Sequence, residues 1–212
     1  MVLWIRCLII AVVGYALGNF ATGVIVSKLL FHSDIRASGS GNTGATNMLR
    51  TRGWVPSVIT LAGDILKAVI ATLIGKGISG EIGMMVAGVA VIAGHNWPVV
   101  LGFRGGKGIA ASLGFIIVTS PLTALILAVI EFGLIAATRV VSVGSIAASI
   151  CYPIVTALLF PGNTARIVTA IIMAAMALFS HRANIARIFS GSENKLDFRK
   201  IHEISKRKGR GK

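Results

Sequence analysis

The sequence predicts an all-α, polytopic integral membrane protein with seven transmembrane helices, the N-terminus outside and the functional face toward the cytoplasm. Three observations carry this. Of 212 residues, 55% are hydrophobic and 13% charged, and the mean hydropathy is +0.84, whereas a soluble domain carries about 25% charged residues and helices with a polar face. Apolar runs of about 20 residues, the length a helix needs to cross a ~30 Å hydrocarbon core, recur along the chain. The 21 Lys and Arg, against 7 acids, gather in alternate loops, as the positive-inside rule requires. The same composition excludes intrinsic disorder and a disulfide scaffold. Nucleic-acid binding, which a net charge of +14 suggests on its own, is not expected once the charges are placed along the chain.

The elements follow in order. Residues 7–27, between Arg6 and Lys28, carry no charge. They read as a retained first helix, since no small-residue cleavage site follows a short apolar core. The second span runs from about Trp54 to Ile74 and encloses Asp64 and Lys67; the third lies between Glu81 and Phe103. Residues 108–138 are apolar over 31 positions, which as one helix would extend about 46 Å. Ser120-Pro121 divides them into 108–119 and 122–138, the first short enough to be a half-helix buried in protein. Spans 142–160 and 164–180 complete the seven. This count places 17 of the 21 basic residues on the cytoplasmic side and three (Arg6, Lys76, Arg166) outside. Six spans would strand the basic tail outside. The domain boundaries are a membrane body at 1–193 and a solvated basic tail at 194–212, beside the anionic leaflet. Cys7 and Cys151 lie in apolar runs and read as core.

Three polar clusters fall on the cytoplasmic side. The first, 36–50, interleaves Gly39, Gly41 and Gly44 with Ser40, Asn42, Thr46, Asn47 and Arg50. Small residues let successive N–H groups converge on an anion, and a helix starting downstream adds its N-terminus. The second joins Gly94-His95-Asn96-Trp97-Pro98 to Arg104-Gly105-Gly106-Lys107-Gly108, ahead of the short helix. The third holds His181, Arg182, Asn184, Arg187 and Glu193, with His181, Asn184 and Arg187 on one helix face. Ser142, at the fifth-to-sixth junction, reads either as a donor or as an N-cap. Asp64 and Lys67, three apart on a helix, read as a pair supporting the pocket; Glu131 belongs to no cluster. Neither H-E-x-x-H nor a carboxylate pair of metal-binding type occurs, so no metal and no cofactor is expected. An anion transporter is the rival class, but the clusters sit on one face and no internal repeat is visible. A non-catalytic anchor would not need the Gly41 or Lys107 clusters.

In order, the clusters resemble the three signature motifs of the bacterial acyl-phosphate:glycerol-3-phosphate acyltransferase family: G-S-G-N-T-G-A-T-N-M-L-R at 39–50, G-H-N-W-P with F-R-G-G-K-G-I-A across 94–110, and H-R-A-N-I-A-R-I-F-S-G-S-E at 181–193. The family's Asp-x-x-Lys-Gly stands here as Asp64, Lys67 and Ala68. The resemblance implies seven spans in a bacterial inner membrane, with transfer of a fatty acyl group from acyl phosphate to glycerol 3-phosphate and a partner enzyme that makes acyl phosphate. The products are 1-acylglycerol 3-phosphate (lysophosphatidate) and phosphate. A mixed anhydride is already activated, so no covalent acyl-enzyme is needed, and the site must hold two anionic heads and stabilise oxyanion charge. Ser40, Gly41, Asn42, Gly44, Thr46, Asn47 and Arg50 are then expected on acyl phosphate. Arg104, Gly105, Gly106, Lys107, Gly108, His181, Arg182, Asn184 and Arg187 are expected on glycerol 3-phosphate. Arg50 and Arg104 can serve either phosphate. Catalytic roles fall to His181, Lys107, Asn184 and Ser142, with His95, Asp64, Lys67 and Glu193 in support. The proton acceptor is either His181 or a substrate phosphate.

Overall fold

The computed structural model describes residues 2–209, and every regular element among them is helical. The chain starts with α1 (Leu3–Gly18) and α2 (Thr22–Phe31), so the uninterrupted helix expected over 7–27 is broken at 19–21. The break has a tertiary cause. It frees the Gly18 and Phe20 carbonyls to accept from Lys67 Nζ at 3.1 and 2.6 Å, while the Asn19 amide folds back onto the Tyr15 carbonyl.

After α3 (Ala45–Arg52) comes α4 (Trp54–Asn96). Its 43 residues form two arms, because Ser79 (φ −146°, ψ 27°) and Gly80 (φ 58°, ψ −136°) leave the helical region. A Cβ placed on Gly75 would lie 2.9 Å from the Ala87 Cβ, although a straight helix would separate these residues by about 18 Å. The arms are therefore antiparallel, and they match the second and third expected spans. Small residues permit the close approach. They also seat α1 on the second arm: Gly14 faces Ala87 and Ala90, and Gly18 faces Val91 and Gly94. The Tyr15 hydroxyl donates to the Trp97 carbonyl at 2.8 Å.

The 108–138 stretch divides where proline predicts. α5 (Ile109–Thr119) is 11 residues long and α6 runs Pro121–Thr138, with the Ser120 hydroxyl accepting from Thr123 N–H as its N-cap. At about 16 Å, α5 is shorter than a ~30 Å hydrocarbon core; Gly114 and Phe115 bury it against both arms of α4, at Ile65 and Ala68 and at Gly88. α7 (Val141–Leu159) contains Pro153. α8 (Thr164–Ser180) bends by 60° at His181 into α9 (Arg182–Phe189). Far from the polar motifs, Arg166 pairs with Glu81 and closes α8 onto the α4 turn.

By length and composition, four helical stretches among the described residues can cross a membrane: Leu3–Phe31, Trp54–Leu101, Pro121–Thr138 and Val141–Leu159. The bent α8–α9 pair makes a fifth. This is fewer than seven, because the α4 hairpin counts once and α5 is short. The segment from 194, expected as a solvated tail, instead carries α10 (Phe198–Gly209). It packs beside α3, with Leu196 and Ile201 buried and the Ser205 hydroxyl accepting from Trp54 N–H. The final residues of that basic tail, 210–212, lie outside the described residues.

Two glycines on α4 give opposite expectations. A Cβ on Gly94 would run into the Tyr15 carbonyl and lie 3.0 Å from Gly18 Cα, so Gly94→Ala costs about 3 kcal/mol of stability. Gly77 has nothing within 4 Å, so Gly77→Ala raises stability by about 0.5–1 kcal/mol. Thermal unfolding in detergent reads both.

Candidate active site

The Asn47 side chain, 2% exposed, organises the first motif. Its Nδ2 donates to the carbonyls of Ser38 (3.0 Å) and Asn42 (2.8 Å), and its Oδ1 accepts from Ser40 N–H (2.9 Å). The loop curls around this one amide. Asn42 Oδ1 accepts from Gly44 N–H, and α3 starts at the next residue. Ser40, Asn42, Gly44, Thr46 and Arg50 all face one cavity of about 480 Å³.

The second motif is held from below. Lys67 Nζ lies 2.9 Å from both Asp64 Oδ1 and His95 Nδ1. An ammonium only donates, so Nδ1 accepts and the ring proton sits on Nε2. Thr22 adds a hydroxyl to Asp64 at 3.1 Å. The His95 carbonyl accepts from Gly106 N–H at 2.9 Å and the Asn96 carbonyl from Gly105 N–H at 3.2 Å. A Cβ on Gly106 would occupy the imidazole, and Gly108 has φ +84°. These glycines let the loop lie flat on His95 and aim Lys107 into the cavity.

There Lys107 Nζ donates to Asn184 Oδ1 at 2.6 Å, and Asn184 Nδ2 donates to Glu193 Oε1 at 2.8 Å. Arg187 Nε donates to Glu193 Oε2 at 2.7 Å, and Arg50 reaches the Asn194 carbonyl at 2.9 Å. Burial, reinforced by Arg187 and Arg50 and opposed by Glu193, brings the Lys107 ammonium down to about 8. Burial raises the Glu193 carboxyl, but Asn184, Arg187 and Ser142 outweigh it and hold the group below the usual carboxylate range. His181, at the end of α8, is 2% exposed. Burial first and Lys107 second push its imidazole down to about 4. Its Nδ1 lies 2.8 Å from the Ala177 carbonyl; since a carbonyl only accepts, Nδ1 carries the proton and Nε2 is the acceptor.

Of the residues expected at the site, Ser40, Asn42, Gly44, Thr46, Asn47, Arg50, Lys107, Gly108, Ser142, His181, Asn184, Arg187 and Glu193 line the cavity, with Asp64 and His95 beneath. Others do not reach it. Arg104 is exposed. Arg182 turns away, donating to the Phe179 carbonyl and lying 4.5 Å over the Phe179 ring. Gly105 and Gly106 spend their N–H groups on Asn96 and His95, and Gly41 donates to Ser38. In this structure these N–H groups are engaged within the loops. Asn47 lines the cavity but spends its amide on its own loop, and Lys67 lies under the floor.

Sequence reasoning placed the acyl chain between the spans but named no residue of the apolar half of the cavity. Beyond the cations it continues between helices along Leu113, Ile116, Leu127, Ala148, Met173 and Ala174. It missed Trp54, Val58 and Leu61, although their four- and three-residue spacing shows one helix face, and it missed Leu196 and Phe198 of the tail. Glu131 also lines the slot, accepting from the Ser145 hydroxyl at 2.7 Å.

A membrane-embedded helical protein with a cationic, hydrogen-bonding mouth over an apolar slot has the construction of an enzyme that handles a lipid with an anionic head. Residues 8–191 match the family model described as glycerol-3-phosphate acyltransferase. The glycerol-3-phosphate acyltransferase of Thermoanaerobacter sp. (strain X514) is 45% identical over 186 residues, covering 88% of this chain and 93% of the relative. That of Clostridioides difficile (strain 630) is 42% identical over 199 residues, covering 91% and 97%. The crystal structure of PlsY, an integral membrane glycerol 3-phosphate acyltransferase in its glycerol 3-phosphate form, superposes with a TM-score of 0.85 at 33% identity, covering 90% of this chain and 96% of that one. Its lysophosphatidic acid form gives 0.83 at 31% identity, covering 92% and 97%. The chain belongs to the glycerol-3-phosphate acyltransferase family.

With Lys107 near 8, a phosphate-bearing ligand meets a full cation below pH 8 and loses it above. The Kd for glycerol 3-phosphate is therefore expected to rise by up to tenfold per pH unit above 8, with proton uptake on binding. Lys107→Arg, charged throughout, flattens this dependence. Calorimetry in two buffers of different ionisation enthalpy reads both the affinity and the proton.

Proposed function

We propose that this enzyme transfers a fatty acyl group from acyl phosphate to sn-glycerol 3-phosphate, giving 1-acyl-sn-glycerol 3-phosphate and phosphate. The observation that carries the reading is the cavity itself. Arg50, Lys107 and Arg187 converge around Asn184 and His181 at one end, and an apolar slot continues from the other. Two phosphate heads and one acyl chain are the ligands this shape accommodates. Ser40, Asn42, Thr46 and Arg50, with the N-terminus of α3, serve the acyl phosphate. Lys107, His181, Asn184 and Arg187 serve glycerol 3-phosphate.

The reaction needs no acyl-enzyme. The glycerol C1 hydroxyl oxygen attacks the anhydride carbonyl and a new C–O ester bond forms. The C–O bond to phosphate breaks, and phosphate leaves with the electron pair. His181, at about 4, is a weaker base than a phosphate ester, whose second pKa is about 6. The hydroxyl proton therefore passes to a substrate phosphate, and His181 Nε2 orients the hydroxyl by accepting its hydrogen bond.

Residues 1–193 form the catalytic body, with seven passes through a bacterial inner membrane and the N-terminus outside. Residues 194–212 extend it on the cytoplasmic side, where 17 of the 21 basic residues fall in that topology. An enzyme that makes acyl phosphate supplies the donor.

Purified protein in detergent, given glycerol 3-phosphate, is expected to form lysophosphatidate with acyl phosphate and not with acyl-CoA; the reverse outcome defeats the donor assignment. In single turnover with both substrates saturating, His181→Gln is expected to keep the rate within about tenfold. A loss of about 10³-fold would make His181 the base.

A further inference from the structure

We infer that Tyr152 is the floor of the acyl slot and sets the longest chain the enzyme accepts. This rests on the reading that the acyl chain occupies the apolar half of the cavity.

The slot descends from the cationic mouth along α7. Ser142, beside Glu193, stands at the mouth and Ser145, holding Glu131, one turn below it. Tyr152 lies ten residues beyond Ser142 on the same helix, which is about 15 Å deeper at 1.5 Å per residue. That depth is half of a ~30 Å hydrocarbon core, the share filled by one leaflet's acyl chains. At this level the slot meets a wall. Tyr152 and Ile116, 7% and 5% exposed, line the large cavity on one side and a separate void of about 10 Å³ on the other.

The two sides differ in chemistry. Above the wall lie Leu127, Ala148 and Met173. Below it, Thr119, Ser120, Thr123 and Arg166 line the void together with Met85, Phe115 and Phe160, and Arg166 donates to the Thr119 carbonyl at 3.1 Å. A methyl end that passed the wall would leave apolar packing for hydroxyls and a guanidinium, at a desolvation cost. Pro153, inside α7 immediately after Tyr152, fixes the backbone from which the ring projects. The ring therefore blocks the chain, and the void of about 10 Å³ behind it, room for about one water, is too small to take the chain's end.

The test is a chain-length profile: kcat/KM for saturated acyl phosphates from dodecanoyl to docosanoyl, on wild type, Tyr152→Phe and Tyr152→Ala. Tyr152→Phe keeps the ring and hence the wild-type ranking of lengths. Tyr152→Ala joins the two spaces and raises the docosanoyl-to-palmitoyl ratio by about tenfold, within the range a few methylenes of pocket discrimination supply. A folded, active Tyr152→Ala with the wild-type ranking overturns the proposal. Should that variant not fold, Ile116→Ala opens the same wall from α5 and is held to the same criterion. Affinity for lysophosphatidates of graded length, measured on the same variants, needs no acyl donor. If wild type rejects every acyl phosphate, the donor reading fails, while an unchanged length ranking of lysophosphatidate affinity defeats the floor.

Discussion

A charged amine inside a bilayer must be paired and fully hydrogen-bonded, and the Lys67 ammonium is the group on which the rest of the structure depends. It takes Asp64 from its own helix, His95 from the returning arm of α4, and two carbonyls from the break between α1 and α2. In hydrocarbon each unsatisfied partner would cost several kcal/mol, so three segments distant in sequence are held in one arrangement. The consequence reaches the chemistry. With His95 fixed, its carbonyl and ring receive Gly106, the loop lies flat, and Lys107 emerges at the mouth of the cavity.

The mouth concentrates positive charge. Lys107, Arg187 and Arg50 surround a single carboxylate, Glu193, which neutralises part of the field and aligns Asn184 between itself and Lys107. Such a site is prepaid: its donors are oriented before an anion arrives, so little reorganisation is spent at the reaction. Burial, with Lys107 second, keeps His181 neutral, and a neutral imidazole with its Nδ1 proton held by Ala177 serves as a fixed acceptor. Positioning and charge, more than proton abstraction by the protein, account for the chemistry proposed for this family member.

Polar residues stand out in an apolar chain, which made most of the site legible. The three motifs, the support pair Asp64–Lys67, the division at Ser120-Pro121 and the shortness of α5 all follow from local composition and spacing. What was not legible depends on distant partners. Nothing near Asn19 announces a helix break whose cause is Lys67. Arg104 and Arg182 sit within motifs yet point outward, because a motif specifies neighbourhood and not side-chain direction. Gly105 and Gly106 resemble a phosphate loop, but their N–H groups answer to the carbonyls of Asn96 and His95, nine and eleven residues back. The apolar slot left little mark beyond the helical spacing of Trp54, Val58 and Leu61, since any helix in this chain has an apolar face to offer.

Direct transfer between two bound substrates is the central claim, and phosphate release with the acceptor withheld tests it most directly. Rapid mixing of the enzyme with acyl phosphate alone is predicted to give no burst, with phosphate appearing only after glycerol 3-phosphate is added and in equal amount to the ester formed. A burst of one phosphate per site without acceptor, leaving the acyl group on the protein, would contradict it.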